Sequence, residues 1–296
     1  MGFIGQHTVD TLLSSGHEVM VLDRQRRADP WDGKVNIMLG DVRDREVVSE
    51  AVQLCDGVIN LAGILGTMET VDDPWPSADT NIKGALNVFQ ACRPTRTKPN
   101  GTRGVQISVG NFFMNNSYAI TKSSAERFAF MFNKEHKTRI AVVRGLNAYG
   151  ERQKHIPVRK IVPNFVLRAV TGTPIEIYGD GEQVMDMIYV KDLARILMLA
   201  VTADHGCFDS VMDAGVGRPT TVNEIAALIN KLSPKSQGVT HIPMRAGEPD
   251  RSVVLGDPST LAPLGVTAKD LLPLEVGLQK TMAWYQEKVE RGLIHL

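Results

Sequence analysis

Apolar residues recur along this chain with two alternating spacings, and the alternation predicts most of its elements. Val9, Leu12 and Leu13 are spaced for one buried helical face that ends at Gly16, and Glu18-Val19-Met20-Val21-Leu22-Asp23 follows as a buried strand finishing in a carboxylate. Val35 to Leu39 is the next strand, ending at Gly40-Asp41-Val42, after which Val47, Val48, Ala51, Val52 and Leu54 mark a helix. Gly57-Val58-Ile59-Asn60-Leu61-Ala62-Gly63 is an apolar strand running into small residues. Beyond Pro74 and Pro76, the positions Ala78, Ile82, Ala85, Leu86, Val88 and Phe89 return to helical spacing, which ends near Cys92. Arg93 to Arg103, with Pro94, Pro99 and Gly101, reads as a solvated loop. Val105 to Val109 is a strand. A helix begins at Tyr118, with Ala125, Phe128, Ala129 and Phe132 as one apolar stripe of the kind that faces a core or a subunit seam, and Ile140 to Val143 is again a strand. Strands and helices in alternation imply a parallel, doubly wound α/β sheet.

After Gly145 the elements shorten and the loops gain Gly and Pro, as in Gly172-Thr173-Pro174 and Gly179-Asp180-Gly181. Residues 1–150 are therefore expected to form the sheet domain, and 151–296 a smaller α/β domain that binds substrate, with some chain crossing back to the first. In this half Ile161 to Val170 and Val190 to Val201 read as helices, and Cys207 to Met212 as a strand. Thr221-Val222-Asn223-Glu224 is a capping box that opens a helix through Leu228 and Ile229, and a last helix runs from about Leu274 to Lys288 and carries Trp284.

Composition narrows the class of function. The 296 residues, 43% of them hydrophobic, are enough for a large domain with a smaller one. Thirty-three basic residues balance 33 acidic ones, so there is no net field to draw in nucleic acid or an anionic membrane, and an anionic ligand must be held by local groups. Cys55, Cys92 and Cys207 are odd in number and widely spaced, which argues against disulfides or a zinc site and suits a reducing cytosol. No apolar run reaches the roughly 18 residues of a membrane span, and no signal peptide is visible.

Two stretches carry candidate chemistry. The first is the order glycine turn, helix, strand, acid, from Gly2-Phe3-Ile4-Gly5 to Asp23, which is the order that binds a dinucleotide. The glycines let the backbone approach a pyrophosphate at the helix N-terminus, and Asp23 would accept from the adenosine ribose hydroxyls. A carboxylate there repels a 2′-phosphate and favours NAD, while the adjacent Arg24 keeps NADP open. The full fingerprint has a strand and a further glycine ahead of Gly2. The first strand of the sheet is missing, residues ahead of Met1 are the expected source of it, and weak NAD binding is expected without it. The second stretch is Tyr118-Ala119-Ile120-Thr121-Lys122, whose four-residue spacing stacks the Tyr118 and Lys122 side chains on one helix face. An ammonium one turn away favours the phenolate, so Tyr118 is expected to exchange a proton during hydride transfer.

In their order along the chain these motifs resemble the extended short-chain dehydrogenase/reductase family of nucleotide-sugar epimerases and dehydratases. Gly2-Phe3-Ile4-Gly5 is similar to the end of the family's glycine turn, Asp41-Val42 to its adenine contact, Leu61-Ala62-Gly63 to its cofactor-lining turn, and Asn81 to an asparagine in the helix that follows. Arg144-Gly145-Leu146-Asn147-Ala148-Tyr149-Gly150 is similar to its R-x-x-N-x-Y-G, and Ile177 to Gly181 and Ile188 to Asp192 to its C-terminal signature. The resemblance implies a Rossmann domain binding NAD, with Tyr118 and Lys122 catalytic. It also implies a nucleotide-sugar substrate held by Asn147 and Arg245, and a homodimer formed by the helix of Tyr118 and the one before it; Lys160, placed before Ile161-Val162-Pro163, is a candidate second clamp on the diphosphate.

The chain departs from the pattern where the family places a second catalytic hydroxyl. The strand before Tyr118 ends Ile107-Ser108-Val109, so Ser108 fills the first hydroxyl position and Val109 the second, and Ser108 and Ser117 are the candidates to reach inward instead. Gly110-Asn111 stands where the dehydratases carry Asp-Glu, which favours epimerisation over dehydration, and Met185 stands in place of a phosphate-binding Arg. A catalytically impaired NAD-binding or assembly protein, or an NADP-linked reductase of small carbonyl compounds, are the alternatives.

Overall fold

The computed structural model describes residues 1–25, 30–66, 70–203, 208–244 and 251–296. Helix α1 (Phe3–Ser14) begins directly after Gly2 and packs Val9 with Trp31 and with Val19 and Val35 of the strands β1 (Val19–Asp23) and β2 (Val35–Leu39). Asp44 caps α2 (Arg45–Gln53) by accepting from the N–H groups of Glu46 and Val47, and β3 (Gly57–Asn60) follows. The helix expected beyond Pro74 is a single run with three windings: α3 (Trp75–Ser77), a π-helical stretch over Ala78–Lys83, and α4 (Gly84–Ala91). Next come β4 (Arg103–Val109), α5 (Ser117–His136) and β5 (Arg139–Gly145). Asn116 accepts from the Ala119 N–H and starts α5, and Lys137, with φ 56°, ends it.

The remainder runs β6 (Asn147–Tyr149), α6 (Ile161–Thr171), β7 (Ile175–Tyr178), β8 (Val184–Met185), β9 (Met187–Tyr189), α7 (Val190–Thr202), β10 (Val211–Ala214), β11 (Thr220–Thr221), α8 (Val222–Leu232), β12 (Val239–Ile242), β13 (Val253–Val254) and α9 (Leu274–Glu290). Both hydrogen bonds of the capping box between Thr221 and Glu224 are present. Cys207 lies outside the described residues.

The sheet is parallel throughout and stands in two parts. β1 pairs with β2, and β10, β5, β4 and β3 pair in that order, so residues from the second half of the chain complete one edge. No pairing joins β1 to β3 among the described residues. A cavity of about 1430 Å³ is lined by residues of β1 and β3. Helix α7 crosses from α1 to β3, β4 and β5 and ties the two parts together.

Of the four apolar clusters among the described residues, two place the helices that matter for the site. One sits between the sheet and its helices α2, α4 and α5. Ala125, Ala129 and Phe132 point into it beside Ala85, Val88 and Phe89, so the stripe on α5 is core within the chain. The other gathers α6, α8 and α9 around Phe165, Ile225 and Leu278. Among the described residues no helix is long and apolar enough to cross a membrane.

Candidate active site

Gly2 caps α1 with extended backbone and offers no side chain, so the N–H groups of the first turn open toward the large cavity. A Cβ at Gly2 would meet nothing within 4 Å, and one at Gly5 only Leu61 at 3.9 Å, which leaves Gly2, Phe3, Ile4 and Gly5 free to approach a bulky anion. The space is adequate for a pyrophosphate, and the donor set fits one. Asp23, at the end of β1, accepts from the Gln25 N–H at 2.9 Å and pairs with the Met1 ammonium; Arg24 beside it is exposed. Asp41 takes the Arg43 fork through bonds of 3.0 and 2.7 Å, which holds its carboxyl down at about 2. Val42 packs against Gly84 and receives the Asn87 amide on its carbonyl.

The turn after β3 is held from the π-helical stretch. The additional residue in a π turn changes the phase of the helix, and Asn81 lies there, 2% exposed. Its Oδ1 accepts from the Ile64 N–H at 2.8 Å, and its Nδ2 donates to the Ile64 carbonyl at 3.2 Å and to Thr121 Oγ1 at 2.9 Å. Asn81 therefore braces Leu61-Ala62-Gly63 against α5. A Cβ at Gly63 would stand 3.1 Å from Asn81 Oδ1 and 3.8 Å from Lys122 Nζ. Gly63→Ala is thus expected to push Asn81 Oδ1 off its bond with the Ile64 N–H and weaken NAD binding about tenfold, the value of one lost buried hydrogen bond. Titration calorimetry checks it, and circular dichroism should remain unchanged.

Tyr118 and Lys122 lie in the first two turns of α5 and line the same cavity as the glycine turn and Asp23. Lys122 is 3% exposed, and burial lowers it to about 8. Burial raises Tyr118 to about 12. The sequence led to the opposite sign for the tyrosine. The loss of water around the buried phenol sets this direction.

Both candidate serines are committed elsewhere. Ser108 Oγ donates to Glu126 Oε2 at 2.8 Å, and Ser117 Oγ donates to the Thr70 carbonyl at 2.9 Å. Glu126 lies one turn beyond Lys122 and also takes Arg144 through Nε at 3.0 Å and NH2 at 2.6 Å. Arg144 in turn sits 3.7 Å over the Phe112 ring and 3.9 Å from Asp213. This knot joins β4, β5, β10, α5 and the loop between β4 and α5, and sequence reasoning missed it. Its signal was a carboxylate set among Ala125, Phe128 and Ala129 on the buried stripe. Asn147 donates its side-chain amide to the Asp186 carbonyl at 3.2 Å. Lys160 is the N-cap residue of α6. Arg245 lies outside the described residues.

A parallel sheet with a glycine turn at the start of α1 and a Tyr-x-x-x-Lys helix on the same cavity defines a dinucleotide-dependent class of α/β protein. The NAD dependent epimerase/dehydratase family matches residues 1–209, and the chain belongs to that family; NAD is its cofactor. Among relatives, a UDP-N-acetyl-alpha-D-glucosaminuronate decarboxylase of Bacillus cytotoxicus is 24% identical over 97% of this chain and 95% of its own. The UDP-glucose 4-epimerase of Thermotoga maritima, solved with UDP-glucose, superposes with a TM-score of 0.86 at 27% identity, covering 97% of both chains. The UDP-glucose 4-epimerase of Thermus thermophilus, solved with NAD, gives 0.83 at 26%, covering 99% of this chain and 97% of its own.

Proposed function

We propose that the protein is a nucleotide-sugar epimerase in which Tyr118 moves the proton that accompanies hydride transfer. One observation carries this reading: Tyr118 and Lys122 open on the cavity that the glycine turn and Asp23 also line, while Gly110-Asn111 supplies no acid–base pair for dehydration. The similarity to UDP-sugar epimerases supports it, and the decarboxylase among the relatives names its competitor.

When bound, NAD supplies the site that takes and returns hydride. The chain's own part is proton handling and orientation. Tyr118 Oη takes the proton of a sugar hydroxyl as the neighbouring carbon is oxidised, and returns it after the keto sugar presents its other face. Lys122 holds the nicotinamide ribose and supplies positive charge beside the phenol. Ser108 acts through Glu126, as a positioning residue. Residues 1–150 serve the cofactor and 151–296 the substrate, with Asn147, Lys160 and Arg245 assigned to the sugar diphosphate.

The deciding experiment incubates the protein with NAD and either UDP-glucose or UDP-glucuronate. Formation of UDP-galactose without net NADH supports epimerisation. Release of carbon dioxide from UDP-glucuronate, with no epimer from either sugar, would assign the decarboxylase reaction instead. A second reading, an NAD-binding protein without turnover, draws on Val109 and on the engagement of both serine hydroxyls away from Tyr118.

The lysine gives a pH signature. Because Lys122 titrates at about 8 in the free protein, its ammonium is depleted as pH rises through that value. The Kd for NAD is expected to be flat below about pH 8 and to rise by up to tenfold per unit above it. Lys122→Met should bind more weakly throughout and lose the dependence, whereas an unchanged profile would remove Lys122 from the cofactor site.

We also assign a homodimer through α5 and the helical run before it. Since the Ala125 to Phe132 stripe is core, the support on α5 is its outer face, where Ile120 and Met131 are 49% and 38% exposed and three turns apart. Sedimentation velocity should give twice the chain mass, and Ile120→Lys should halve it.

A further inference from the structure

We propose that His7 is a positioning residue for the cofactor, holding the glycine turn to the segment that follows Asn147. His7 lies in the second turn of α1 and is 2% exposed. It does not line the cavity of Tyr118 and Lys122, but a separate cleft of about 450 Å³ that it shares with Glu151, Arg152 and, from α9, Trp284. It therefore acts on NAD only through what it holds.

Two contacts define that role. The Phe3 ring, part of the glycine turn, meets the imidazole in a T-shaped contact, with centroids 5.8 Å apart and planes at 87°. Nε2 donates to the Glu151 carbonyl oxygen at 2.9 Å, 144 residues along the chain. A carbonyl only accepts, so that nitrogen carries the proton, and burial lowers the pKa of the ring and keeps it neutral. The far end of the bond is fixed in turn. The Glu151 carboxylate accepts from Tyr189 Oη at 2.8 Å and lies 3.4 Å from Lys191 Nζ, while Asn147, four residues earlier, is bonded to the Asp186 carbonyl. One further contact joins the same segments, between Arg152 and Asp10 of α1 at 2.7 Å. Those two side chains are 39% and 37% exposed, so the pair is worth little and the buried imidazole bond carries the link. A binding constellation has to be held to within about 0.5 Å. His7 ties the turn of Gly2 to Gly5 to a distant part of the chain that is anchored separately.

Calorimetric titration of the full chain with NAD tests this, at a temperature where circular dichroism shows each variant folded. His7→Leu is expected to raise the Kd about tenfold, the value of one lost buried hydrogen bond. His7→Gln brings an amide nitrogen to the place of Nε2 and should recover the parent Kd to within about threefold. His7→Asn, one methylene shorter, does not reach the carbonyl and should bind as weakly as His7→Leu. A role in stability alone would lower the melting temperature and leave the Kd of the folded protein unchanged. That result for His7→Leu overturns the proposal, as does a His7→Gln as weak as His7→Asn. If His7→Leu does not fold, the two amides decide between them. Only the role of Asn147 rests on the epimerase reading; NAD binding needs no turnover, so a failed epimerase assay leaves this test intact.

Discussion

Tyr118→Phe is expected to lower turnover by about 10²–10⁴, the usual contribution of a positioned acid–base group, and to leave the Kd for NAD within twofold of the parent, about 0.4 kcal/mol. The substitution removes one oxygen and keeps the ring in place between the cavity and α5. In the free protein burial holds that phenol at about 12, so near neutral pH it is protonated, and catalysis must draw on charge brought in with cofactor and substrate. The variant therefore separates proton transfer from binding. Stopped-flow reduction of NAD by a UDP-sugar, compared with equilibrium titration, reads both. A variant that turns over like the parent would take Tyr118 out of the chemistry and leave the NAD-binding reading in its place.

The second large effect concerns stability. Glu126→Ala is expected to cost about 3 kcal/mol, the lower end of the range for removing one partner from a buried ion pair. Glu126 is 5% exposed and Arg144 still has 16% of its side chain in contact with solvent, which places the cost at that lower end. The substitution takes the two charge-assisted bonds from Arg144 and the acceptor from Ser108, and Asp213 at 3.9 Å replaces them only in part. Glu126→Gln keeps the volume and an acceptor for Ser108, and should lose less. A fall in urea midpoint at constant slope measures the difference. If Glu126→Ala is as stable as the parent, the knot does not hold α5 to β4 and β5, and Ser108 has no positioning role to perform.

Much of this architecture is written in short-range pattern. Most elements follow from spacings within ten residues, because a helix or strand buries its apolar face with its own period and caps itself with its own neighbours, as Asp44 and the pair Thr221 and Glu224 do. The place of Tyr118 above Lys122 is equally local. What lay beyond the sequence depends on contacts between distant segments. The direction of the Ser108 hydroxyl depends on Glu126, 18 positions away, and the brace of Asn81 on Ile64 and Thr121. The π winding that delivers Asn81 has no counterpart in the apolar spacing, which reads the same for an α-helix. The stripe on α5 was ambiguous between core and seam until the sheet was seen to cover it. The sign of the tyrosine shift was also a tertiary matter. The spacing places a lysine beside the phenol, but the balance of attraction against lost hydration is set by how much protein closes around both, and that is a property of the packed fold alone.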